Sequence, residues 1–187
     1  MEVLAAEVGV GEVVAASVVE VAVALSQAAV AASAAAAREE AGDMNAKEFL
    51  KQLRHDDIVA AIKQAESKTS GEIRVFISHK NIDDPVAAGQ KIFMHLGMTK
   101  TRHRNAVLIF VAPIAQKFSV IGDEAVHQKC GDAFWQALTE EMSGHFKKSD
   151  FTQGIIHAVQ KAGELLAAHF PPHPGDKNEL PDQVEHD

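Results

Sequence analysis

A single cysteine, Cys130, stands among 187 residues, so no intrachain disulfide can form. That suits a reducing compartment, and the cytoplasm is the expected location. Cys130 falls in a helical pattern and reads as a small packed thiol in preference to a redox or metal centre. The P-loop, GxGxxG, GxSxG and HExxH patterns are absent too. P-loop nucleotide hydrolysis, Rossmann cofactor use, serine hydrolysis and zincin chemistry therefore lose their usual signatures. A basic face is also missing. The formal charge of −8 belongs to the two ends, and residues 44–174 are close to neutral, which gives bulk nucleic-acid binding no support.

Residues 1–43 contain no aromatic residue and are dominated by Ala, Val, Glu, Ser and Gly. Val13 to Ala37 is apolar, but Glu20 interrupts it, alanine contributes little to membrane insertion, and no Lys or Arg precedes it. Neither a transmembrane helix nor a signal peptide fits that pattern. The small-residue run Ala31–Ala37 imitates a cleavage site and keeps export as the alternative. Met44 opens an ordinary protein beginning, MNAKEFLKQL. The expectation is that Met44 is the natural start and that residues 1–43 come from an over-extended reading frame outside the native domain.

The body of the chain, residues 44–170, has clear periodicity. Ala46 to Lys68 reads as helix with a break near Arg54–His55–Asp56, and Ile58, Val59, Ile62 and Ala65 recur at helical spacing. Asp56 or Asp57 is available as N-cap, and Gly71 suits a left-handed turn after the helix. Glu72 to Ser78 is a strand with Ile73, Val75 and Ile77 on one face and Phe76 on the other. Asp83–Asp84–Pro85 starts the next helix, which Gly97 closes.

Val107 to Val111 is an unbroken apolar run, the pattern of a strand buried on both faces. Pro113 stops it, since proline has no N–H to donate. Lys117 to Ile121 forms a third strand ending at Gly122–Asp123. A long helix from Glu124 to Phe146 and a last helix from Asp150 to His169 follow. Pro171, Pro172 and Pro174 then end helical structure, and residues 171–187 read as an acidic, loosely held tail. The order helix, strand, helix, strand, strand, helix, helix predicts an α/β fold, a small mixed sheet of three to four strands sandwiched by helices. The first two strands should be parallel neighbours and the third antiparallel to the second.

Several segments together resemble the TPM-domain family, named for a thylakoid-lumen acid phosphatase, a photosystem II repair protein and a nematode acetylcholine-receptor modulator. They are Thr69–Ser70–Gly71–Glu72–Ile73, Asn105–Ala106–Val107–Leu108–Ile109, Lys117 to Gly122, and Phe146 with Asp150–Phe151–Thr152–Gln153–Gly154–Ile155. The pair Phe134–Trp135 and the stretch Asn178–Asp182 (NELPD) are similar to a bacterial subgroup. The resemblance covers roughly 45–170 and implies a mixed α/β sandwich. It also implies either weak acid phosphatase or calcium-binding activity, or non-catalytic help to a membrane complex. The chain departs from the family pattern with Arg104 in place of an Asp, Ala106 in place of a Gly, Asp123–Glu124 in place of Tyr-Gly, and Lys148–Ser149 where a Gly precedes Asp150.

Asp123 and Glu124 are the first candidates for chemistry, as ligands for Ca²⁺ or Mg²⁺ or as the acid and base of phosphate-ester hydrolysis. Carboxylates at the carboxyl end of a central strand stand where open α/β sheets bind ligands. Equally, Asp123 can cap the long helix and Glu124 favour its positive end. Asp150 is a third metal candidate that also reads as a helix cap. Asn105 orients a ligand or closes a turn. Glu72 reads more readily as an exposed edge residue than as a ligand. The loop Lys100, Arg102, His103, Arg104 would suit a phosphate or an acidic partner, or is solvated charge. His127 and Cys130, three apart on a helix, lack a second Cys/His pair and read as packing. Two functions follow: a non-catalytic accessory module for a protein partner, with a membrane-associated assembly as its setting, or a slow metal-assisted acid phosphatase on phosphate monoesters.

Overall fold

The computed structural model describes residues 46–175 and 178–187. The expectations for residues 1–43, and for Met44 as the first residue, lie outside the described residues. Helix α1 (Ala46–Gln52) breaks before α2 (His55–Glu66), as the pattern at Arg54 predicts. The N-cap position of α2 is Arg54, whose side chain makes no capping bond; Asp56 and Asp57 fall instead inside the first turn, where their charge meets the positive end of the helix. Strand β1 (Glu72–Ile77) leads to α3 (Pro85–His95), where Asp84 caps Val86 and Ala87 through its side chain. Gly97 follows in the left-handed conformation and opens a short 3₁₀ turn over Met98–Lys100.

Strands β2 (Ala106–Ala112) and β3 (Lys117–Gly122) form the expected antiparallel hairpin, and β1 pairs parallel with β2 from Glu72–Ala106 to Ile77–Val111. Every residue of β2 is buried, because helices lie on both faces of the sheet. On one face Ile73, Val75, Ile77, Val107, Ile109 and Val111 meet α2 and the two final helices, α4 (Glu124–Lys147) and α5 (Phe151–His169). On the other, Phe76, Leu108 and Phe110 meet Phe93 of α3 and Met98. Fully burying each such side chain contributes about 1.5–3 kcal/mol, so the sheet core holds both layers together.

Three features differ from the sequence reading. The segment Val184–His186 is not loose: it forms β4, parallel to β1, and completes a sheet of order β3-β2-β1-β4 among the described residues. Helix α4 is interrupted at Gly131, whose φ of 66° and ψ of 177° suit only a residue without Cβ. Gly71 makes no left-handed turn. Its importance is close approach, since a Cβ there would lie 3.0 Å from the Asn105 carbonyl oxygen and 2.9 Å from Leu166.

Candidate functional site

Because β3 runs antiparallel, its carboxyl end lies beside the amino ends of β1 and β2. Asp123 is therefore delivered not by a central strand but by an edge strand, and to the opposite end of the parallel pair from the one predicted. The rule that places ligands beyond the carboxyl ends of parallel strands does not apply to it.

Asp123 is 3% exposed and fully engaged. Its two carboxylate oxygens accept from Nε and Nη2 of Arg104 at 2.8–3.0 Å, and Oδ1 also accepts the Glu124 N–H at 2.8 Å, capping α4. Arg104 holds a left-handed backbone conformation, with φ of 51°, and its carbonyl accepts the Ala125 N–H. The loop is thus clamped to the start of α4 from both sides, and the bond to Asp123 holds the guanidinium still more firmly in its charged form. Glu124 is half-buried and accepts from Gln128. Asn105 is buried and donates to the Ser70 carbonyl at 3.0 Å, joining the starts of β1 and β2.

Beside this junction lies a cavity of about 370 Å³ lined by Glu66, Ser70, Glu72, His173, Asn178 and Asp182, among others. Glu72 is 5% exposed, not the surface edge residue that its position suggested. Its carboxylate accepts the N–H groups of Glu179 at 2.9 Å and Leu180 at 3.3 Å. Glu66 accepts the Ile73 N–H at 2.7 Å, and burial, with Glu72 and Asp182 nearby, pushes its pKa up to about 8. Burial likewise raises Glu72, against the lowering effect of its two backbone donors. Asn178 bonds Asp182 and reaches toward Glu66.

Arg102 is exposed, and its backbone N–H meets the Glu179 carboxylate at 3.0 Å. The basic loop, the Thr69–Glu72 turn and the Asn178–Asp182 segment therefore form one continuous surface. Arg102 and Arg104 are exposed on this side and Glu124 is half-buried, while the buried Asn105 and Asp123 hold Ser70 and Arg104 from beneath. Asp150 lies apart from it. It precedes α5 at the far end of α4, 47% exposed, with His145 Nδ1 3.6 Å away and no side-chain capping bond. The three carboxylates assigned to a metal are thus divided between the two ends of one helix, and no group of three ligating side chains suited to a metal converges among the described residues. Cys130 is half-buried, and burial pushes its thiol up to about 11, which suits packing over reactivity.

Glu66, Asn178 and Asp182 were missed as site residues. Asn178 to Asp182 gave the one usable signal, through its resemblance to a bacterial subgroup; Glu66 falls inside the helix read over Ala46 to Lys68 and carries no signal of its own. No described helix is long and apolar enough to cross a membrane.

No curated protein matches the chain. Among solved structures it is similar to the BA42 protein of the psychrophilic bacterium Bizionia argentinensis, determined by NMR, at 34% identity and a TM-score of 0.66. That match covers 73% of this chain and 96% of BA42. The TPM domain model matches residues 44–165, a span that includes the β1–β2 and β2–β3 pairings and the Arg104–Asp123 clamp but not β4. On these matches and this architecture, the chain belongs to the TPM-domain family.

Proposed function

We propose that this TPM-domain protein is a non-catalytic binding module, an accessory to a larger assembly, that recognises its partner with the amino end of the sheet. The observation that carries the reading is the state of Asp123. A carboxylate held in a two-pronged grip by Arg104, and spent again as a helix cap, is poorly placed to ligate a metal or to activate water. What remains open at this end is a polar cavity and a loop of exposed cations, features of recognition. Family members that help membrane complexes supply the class of assembly.

The test is hydrolysis of a chromogenic phosphate monoester by the full chain, with and without Ca²⁺ or Mg²⁺, beside Asp123→Asn. The module reading expects no turnover above buffer under any condition. Metal-dependent turnover that disappears in Asp123→Asn would replace it with the phosphatase reading.

A further inference from the structure

The opposite end of β1 carries a different feature. Arg74 lies in the middle of that strand, is 2% exposed, and points to the face shared with Phe76. Burying a guanidinium is costly unless its donors are paired. Here the partner comes from the tail: Nη2 of Arg74 bonds Glu185 in β4, while Nε has no partner. The tail matches β1 residue by residue. Val184 lies opposite Val75 and packs into the larger core, Glu185 lies opposite Phe76 on the Arg74 face, and His186 lies opposite Ile77. Just beyond, Asp187 accepts from the His79 N–H at 2.8 Å and from Ser78 Oγ, and pairs with Lys80 Nζ at 2.8 Å.

We propose that this edge of β1 is a strand-addition site for an extended acidic segment of a partner protein, of the pattern apolar–Glu–X–Asp, and that β4 is its displaceable occupant. Three observations favour displacement. The chain's own strand pairs with only three β1 residues, Val75 to Ile77. None of its own three residues is fully buried, and His186 is exposed. Most telling, it leaves a buried Nε unpaired, which a carboxylate seated squarely on the guanidinium would satisfy along with Nη2. Main-chain pairing along the edge would supply affinity, and the Arg74 and Ser78–Lys80 contacts would choose acidic sequences. The surface lies at the carboxyl end of β1, apart from the amino-end site, so the two can be tested separately.

The experiment titrates the full chain, isotope-labelled, with a synthetic peptide bearing the sequence of residues 183–187, and follows the backbone amide signals of Val184 and His186. The tethered tail competes at an effective concentration in the millimolar range, so binding to the native chain will be weak. Glu185→Gln in the chain should strengthen peptide binding about tenfold, because the resident strand loses its charge-assisted bond. A peptide with Gln at the Glu185 position should fail to release β4 from the native chain, a control that leaves the protein unaltered. Equal binding of the Glu and Gln peptides, or binding without movement of the β4 signals, would overturn the proposal. Concentration-dependent dimerisation of the peptide-free chain with exchanged tails would overturn the choice of a foreign partner in favour of a second copy.

Discussion

Glu72 accepts the backbone N–H groups of Glu179 and Leu180, so one buried carboxylate at the start of β1 anchors a segment more than a hundred residues away. A carboxylate is suited to this because it can accept two donors and offers none in return. Glu72→Gln keeps the shape but replaces one acceptor with an N–H₂ donor facing an amide N–H. The expected cost is about 1–3 kcal/mol, that of a buried donor left unpaired. Hydrogen exchange at Glu179 and Leu180 should accelerate more than exchange in β2. Uniform protection in the variant would show that the tail is held by something other than Glu72.

The same cavity predicts how stability responds to pH. Glu66 titrates near 8 when folded, against an ordinary value of 4.5, so the folded chain holds that proton more tightly than the unfolded one. The stabilisation is present in full below about 4.5 and is lost as pH rises toward about 8. Glu72 is shifted in the same direction, whereas Asp187 and Glu141 are lowered and lose their contribution only in acid. Urea midpoints should therefore fall between pH 5 and pH 8. In Glu66→Gln, which keeps an oxygen for the Ile73 N–H and cannot ionise, the fall should be smaller. An identical slope in both proteins would count against a raised Glu66.

How much of this was visible in advance depends on how local each feature is. The apolar run Val107–Val111 and the Asp84–Pro85 helix start declare themselves within a few residues, and both appear as expected. The short hairpin turn at Pro113 fixed the β2–β3 direction for the same reason. Strand β4 was hidden because its three residues have no usable alternation. Its position is set by Arg74 and Glu72, more than a hundred residues earlier. The break at Gly131 sits between helix-forming stretches, where glycine alone signals only a modest cost. Arg104 and Asp123 were each singled out, yet their pairing across 19 residues was not, since a turn had to bring them face to face.

That pairing makes the next prediction. Arg104→Ala would leave the Asp123 carboxylate buried with only the Glu124 N–H for a donor. Removing one partner of a fully buried pair costs about 3–5 kcal/mol, but Arg104 is 45% exposed and water will enter, so about 1–3 kcal/mol is expected. Arg104→Lys should recover only part of this, because an ammonium cannot donate in parallel to both oxygens. Full recovery by lysine, measured by denaturant unfolding, would mean that charge alone matters and the fork does not.

A last prediction concerns the residue that sets Asp123 in place. Gly122 precedes it, and the Trp135 ring lies directly over that glycine: a Cβ at position 122 would stand 2.4 Å from the indole. The contact explains why a strand otherwise built of larger residues ends in glycine. Gly122→Ala must push the ring or the strand aside, at an expected cost of about 1–3 kcal/mol. Trp135 is the only tryptophan, so its fluorescence reads the displacement directly. Adding Trp135→Phe to Gly122→Ala should restore part of the stability, because the smaller ring frees the space that the new methyl group needs. If the double variant is no more stable than Gly122→Ala alone, the glycine is required for the backbone of β3 and not for the ring above it.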